Sequence, residues 1–259
     1  MVELLCESMG IRAVSRITGL HRDTVLSILE TVGQKAAVFL DANVRNVKAE
    51  QIQADEIHTI CGCKAVTAEL DDLERGDFFT YLAVDRRSKL IISSLAGKRT
   101  RENTLAFLDD LRNRVDGRFQ LTTDAAQIYG GSAGSVSRVF GGSIDYATET
   151  KRFAAPLHFV PRRVIGIRRI RCIGEPDMKM ATTCHCERTN LSVRLFNRRF
   201  TRCTLGFSKK PDNLRHAVAL FVWHFNFARV HSAHRKTPAQ AAGITDHAWT
   251  IEELLTATN

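Results

Sequence analysis

The period of the apolar residues changes at residue 51, and the order of segments after that change constrains the fold more than any other feature. Residues 51–60, 78–84 and 89–95 read as strands, the latter two joined by the turn Asp85-Arg86-Arg87-Ser88. A helix follows over 102–115, with Leu105, Leu108 and Leu111 on one face. The stretch 118–123 reads as a fourth strand that runs straight into Asp124, and a helix containing Gln127, Ile128 and Tyr129 comes next. Three strands, a helix, a strand and then helices predict an α/β fold built on a mixed sheet flanked by helices. A chain of 259 residues, 44% hydrophobic and 25% charged with 5 Pro, can bury a core of its own, and disorder or collagen-like repeats are excluded.

Before residue 51 the spacing is helical. Leu4, Leu5, Met9, Ile11, Val14, Ile17, Leu20, Val25, Ile28 and Leu29 recur at three- and four-residue steps, punctuated by Gly10 and Gly19. Three short helices are expected near 2–8, 11–18 and 22–32, the last pair joined by the tight connection Thr18-Gly19-Leu20-His21 that a helix-turn-helix requires. In such a module, spanning 1–36, the second helix of the pair enters the major groove, so His21, Arg22, Thr24 and Ser27 are the candidates for contact with phosphates and base edges. The competing reading is a plain three-helix packing unit. Residues 37–50 are expected to form a helical linker to the sheet domain at 51–259.

Charge is unevenly placed. The net value is +9, but residues 151–210 carry 15 basic against 3 acidic side chains while the rest is slightly acidic. A localised basic surface is the footprint of a nucleic-acid-binding protein. Its densest part is basic and β-prone, from Phe159 to Cys172 within an expected insertion near 153–183. It reads either as a DNA-contacting hairpin bearing Arg168, Arg169 and Arg171 or as an edge strand protected by its charges. No apolar run approaches the roughly 18–20 residues of a membrane span. The start Met1-Val2-Glu3-Leu4-Leu5-Cys6-Glu7 is acidic where a signal peptide is basic, which predicts a cytoplasmic, nucleoid-associated protein. Seven cysteines form an odd set and read as reduced thiols. Cys61 with Cys63 and Cys184 with Cys186 are spaced more tightly than structural zinc ligands, so zinc is not expected. Phe221, Trp223, Phe225 and Phe227 read as helix core and not as a base-stacking platform.

Three acids then take on a common meaning. Asp55 lies within the first strand, Asp124 at the C-terminal end of the fourth, where open α/β sheets place their ligand sites, and Glu187 opens a helical segment. Carboxylates converging from two strands and a helix can hold two divalent cations about 3.5–4 Å apart, the arrangement used in phosphodiester displacement. Mg²⁺ suits such oxygen ligands. The element order is that of a ribonuclease H-like domain, though other α/β folds share it.

The residues also carry a family resemblance. Ala54-Asp55-Glu56-Ile57-His58 followed by Lys64, Leu121-Thr122-Thr123-Asp124 followed by Tyr129, and Cys186-Glu187-Arg188-Thr189-Asn190-Leu191 followed by Arg194 resemble the three acidic motifs of bacterial insertion-sequence DDE transposases, nearest to the insertion sequence one family. The strand-turn-strand from Tyr81 to Lys89 fits, as does the tail Phe225-Asn226-Phe227-Ala228-Arg229-Val230-His231 with Lys236-Thr237-Pro238. The resemblance implies a ribonuclease H-like catalytic domain that cuts transposon ends and joins them to target DNA with Mg²⁺ or Mn²⁺, two ions per site. It implies Asp55, Asp124 and Glu187 as metal ligands, with Lys64, Asn190 and Arg194 toward DNA and His185 as a supporting residue. Double-stranded DNA is the implied partner, and pairing two ends implies a homo-oligomer. The rivals are an inactivated remnant or regulator that binds DNA without catalysis, and a nuclease that cuts without joining.

Overall fold

In the computed structural model, which describes residues 1–69, 72–130, 134–155, 163–201 and 204–257, six strands form one mixed sheet in the order β3-β2-β1-β4-β5-β6. β1 (Gln51–Cys61), β2 (Gly76–Asp85) and β3 (Ile91–Gly97) run as an antiparallel meander. β4 (Gln120–Asp124) lies parallel to β1, β5 (Asp145–Phe153) parallel to β4, and β6 (Val164–Ile173) antiparallel to β5 at the edge. This order and these directions are compatible with a ribonuclease H-like fold. Ile52, Ala54, Ile57, Leu82, Ala83, Val84 and Leu121 are buried in its centre.

The helices are α1 (Val2–Cys6), α2 (Ile11–Thr18), α3 (Arg22–Asn43), α4 (Arg101–Arg114), α5 (Ser135–Phe140), α6 (Cys184–Phe196), α7 (Pro211–Trp223), α8 (Pro238–Ala241) and α9 (Ile251–Ala257). Their ends follow local chemistry. Gly19 takes the left-handed φ of 73° that closes α2, and the His21 ring accepts the Asp23 N–H to start α3. Thr100 accepts the Asn103 N–H at the start of α4, and Pro211 occupies the first turn of α7, where no N–H is needed.

Several boundaries differ from the sequence expectation. Helix α3 does not end near residue 32 and no separate linker helix follows; it continues to Asn43. Gly33 is a packing residue and not a stop, because a Cβ there would lie 2.5 Å from that of His216 on α7. Gln127, Ile128 and Tyr129 form a turn instead of a helix. The Asp124 side chain accepts the Ala126 N–H at 3.1 Å, which bends the chain straight after β4. Strand β5 went unread because its sequence, Asp145-Tyr146-Ala147-Thr148-Glu149-Thr150-Lys151-Arg152-Phe153, has few apolar residues; its Thr148 and Glu149 are buried all the same. The described part of the basic segment forms the last strand of the sheet, β6, an exposed edge. Residues 156–162, including the start of that segment at Phe159, lie outside the described residues. Trp223 and Phe227 are core, packed edge-on against Phe39 of α3. Among the described residues no helix is long and apolar enough to cross a membrane.

Candidate metal centre

Along β1, Gln51, Gln53 and Asp55 share one face of the sheet. Gln53 is buried, and its Oε1 accepts the backbone N–H groups of His185 at 2.8 Å and Cys186 at 3.0 Å. A strand side chain thus caps the first turn of α6 and fixes that helix on the sheet. Cys186 is buried beneath it. One turn further along, the Asn190 amide donates to Asp55 Oδ2 at 2.8 Å.

The pairing of Ala54 with Thr123 sets Asp55 beside Asp124 at the end of the parallel pair β1–β4. Single carboxylate oxygens of Asp55, Glu56 and Asp124 all lie within 4.8 Å of one another. Burial pushes the Asp55 carboxyl up to about 6, with Asp124 and Glu187 adding repulsion against the Glu56 N–H and the Arg194 charge. Burial pushes Glu56 up to about 7 despite Arg99, whose Nε lies 3.4 Å from it. Crowded, half-buried carboxylates of this kind are all-oxygen donors suited to a hard divalent cation, whose charge would favour their ionised forms.

The other residues singled out from the sequence fall in different places. Glu187 stands on the same face of α6 as Asn190, but its carboxylate turns to the Thr183 hydroxyl at 2.8 Å and to the Lys151 ammonium. Its charge still reaches Asp55. Asn190 is buried against Asp55, and Arg194 acts on the same carboxylate. His185 points away from the acids, its Nδ1 3.2 Å from Lys89 Nζ in the turn after β2. Lys64 is exposed just beyond β1. At the start of α3, His21, Arg22, Thr24 and Ser27 are all exposed, while Val25 and Leu29 are buried. On β6, Arg169 pairs with Glu149 at 3.0 Å and Arg171 with Glu175, whereas Arg168 is exposed with no ion pair among the described residues.

Glu56, Glu149 and Lys151 were missed. Strict alternation sends Glu56 to the opposite face from Asp55, so pattern reading does not group them. Glu149 and Lys151 lie on the strand the sequence did not reveal. No protein-family model matches this chain, and no curated protein matches it. Among solved structures it is similar to a piggyBac transposase in a synaptic complex with hairpin DNA, at 10% identity and a TM-score of 0.40, over 99% of this chain and 68% of that one. A likeness that loose carries no argument, and the fold rests on the strand order itself.

Proposed function

We propose that this chain is a DDE-type DNA transposase, of the insertion sequence one kind, with a ribonuclease H-like catalytic domain. One observation supports this above the rest: Asp55 and Asp124 stand side by side on adjacent parallel strands, with Asn190 of α6 holding the first of them. Asp55 and Asp124 would hold Mg²⁺ or Mn²⁺, with Glu187 as the third ligand once its carboxylate leaves Lys151. A bound divalent pair would activate the attacking oxygen and stabilise the leaving oxygen in phosphodiester displacement. The chain's own residues prepare the site. Asn190 orients Asp55, and Arg194 favours its ionised form and would contact a phosphate oxygen of bound DNA. Lys64 and the exposed Arg168 of β6 would follow the DNA backbone, with Arg169 and Arg171 joining where their carboxylate partners yield.

In this reading α2 and α3 form the helix-turn-helix, presenting His21, Arg22, Thr24 and Ser27 to duplex DNA. Two copies or more would pair the two transposon ends, in the cytoplasm and on the nucleoid. The engagement of Glu187 by Lys151 favours one second reading, a chain that binds DNA but has lost catalysis. Labelled duplexes carrying the sequences on either side of the protein's own reading frame, incubated with the chain and Mg²⁺, separate the cases. Joined product supports the transposase, nicks without joining indicate a nuclease, and binding with neither product leaves the inactive reading.

A further inference from the structure

Below the first turn of α6, on the side away from the acids, a cavity of about 680 Å³ opens at the foot of β1. Its wall carries Lys48, Arg86, Arg87, Lys89 and Arg118 against three carboxylates. The carboxylate nearest in sequence is already committed: Asp85 Oδ2 accepts the N–H and hydroxyl of Ser88 at 2.7 and 2.5 Å. Arg86 has no ion pair among the described residues. Its Nη1 donates to Gln51 Oε1 at 2.9 Å, and its Nε is buried without an acceptor. Lys89 sits at a φ of 65°, a left-handed conformation costly for a side chain of this kind, and its ammonium is held against the Arg86 carbonyl and the His185 ring. Burial and the neighbouring Arg86 lower the Lys89 pKa. A buried guanidinium N–H without an acceptor, beside two further cationic side chains in a recess with room for a ligand, calls for an anion with several acceptor oxygens.

We propose that this cavity binds a phosphodiester group of the DNA strand that crosses the acidic site, through Arg86, Arg87 and Lys89. The inference rests on the transposase reading for the identity of the ligand. Gln51, at the cavity, precedes Asp55 by four residues on the same face of β1, about 13 Å of strand. That distance matches about four nucleotide steps of B-form rise. The cavity therefore fixes the register of the backbone on one side of the scissile phosphate.

The test is fluorescence anisotropy of a labelled 30-base-pair duplex with the full chain, over a range of salt, for wild type, Arg86→Gln, Lys89→Gln and Arg87→Gln. Each variant is expected to weaken binding by roughly five- to tenfold and to flatten the plot of log affinity against log salt by about one phosphate contact. Arg87 is exposed and holds no turn together, so its variant stays informative if either of the others fails to fold. Unchanged affinity and slope in folded variants overturn the proposal while leaving a cleaving wild type intact. Weakened binding in variants of a chain that never cleaves keeps the cavity and removes the transposase. Wild type that binds inorganic pyrophosphate but no duplex overturns the proposal in favour of a small phosphorylated ligand.

Discussion

Asp124 and Glu149 stand opposite each other on neighbouring parallel strands, yet they belong to carboxylate groups with opposite electrostatics. Burial raises Glu149, but the Thr183 N–H, Arg169 and Lys151 outweigh it and hold that carboxyl below its usual range. One strand away, burial raises Asp55 and Glu56, and the charges nearby do not compensate. The first group is closed by the protein's own cations and ties β5, β6 and the start of α6 together. The second keeps its negative charge in excess. A pair of carboxylates that costs stability when ionised is expected where a cation must enter, not where the fold needs an anchor.

Replacing one acid in each group breaks the comparison most directly. Asp124→Asn is expected to lower strand transfer by about a thousandfold or more, the scale seen when a member of a catalytic unit is removed. Duplex affinity should stay within about twofold in the same protein; normal joining by this variant removes Asp124 from the site. Glu149→Gln is expected to act the other way round. It leaves Arg169 and Lys151 facing a neutral amide, at a cost of about 3 kcal/mol. Thermal unfolding of that variant should fall by several degrees. An unchanged midpoint would mean that the ion pairs at Glu149 contribute nothing to the fold.

Acid should stabilise the second group. Because the folded Asp55 and Glu56 bind protons more tightly than the unfolded chain, stability in EDTA rises as pH falls from about 7 toward the ordinary carboxylate range near 4. His185, His224 and His231 are held below their ordinary value by burial and pull in the opposite direction as they take up protons. The informative quantity is therefore the difference between wild type and Asp55→Asn. That variant should be more stable at pH 8, by up to roughly 3 kcal/mol, and the gap should narrow as pH falls through about 6 and close only near the ordinary carboxylate pKa of about 4. With Mg²⁺ present, its stabilising effect on wild type should weaken on acidification, since protons compete for the same oxygens. A gap independent of pH would show that Asp55 is not the titrating group.

Asn190→Ala is a smaller perturbation of the same site. It removes the hydrogen bond by which α6 orients Asp55, and loss of such a bond to a charged group is worth about 1.5–3 kcal/mol. Cleavage is expected to drop by roughly tenfold or somewhat more, with the Mg²⁺ requirement shifted to higher concentration. Rescue of Asp55 orientation by Asn190→Gln, but not by Asn190→Ala, would mark Asn190 as a positioning residue.

How far the sequence revealed this division depends on what each residue's neighbours look like in one dimension. The meander β1–β2–β3 and strand β4 were legible because their apolar residues are bounded by turn chemistry, and Asp55 and Asp124 stand out against them. The Glu149 group was invisible. Its strand is buried through hydrogen bonds and ion pairs, so Thr148, Glu149 and Lys151 give no apolar alternation to mark it. The continuation of α3 past residue 32 was not legible because the role of Gly33, close approach to His216 on α7, depends on a residue far away in sequence. Glu187 was legible as an acid at the start of a helix, but its engagement by Lys151 depends on a strand the pattern did not show.

The edge strand β6 carries the comparison to its smallest scale, in two adjacent arginines. Arg169 points to Glu149 and belongs to the closed group; Arg168 has no ion pair among the described residues. Consecutive residues of a strand face opposite ways, so one sequence of like charges serves two purposes. Arg168→Gln should leave thermal stability within about 0.5 kcal/mol, as exposed substitutions do. It should weaken duplex binding a few-fold and reduce the salt slope by about one contact. Arg169→Gln should lower stability first, with any loss of DNA affinity following from a loosened edge. If both variants instead change the salt slope equally and neither changes stability, Arg169 is as free for DNA as Arg168, and the Glu149 group is no more closed than the one beside it.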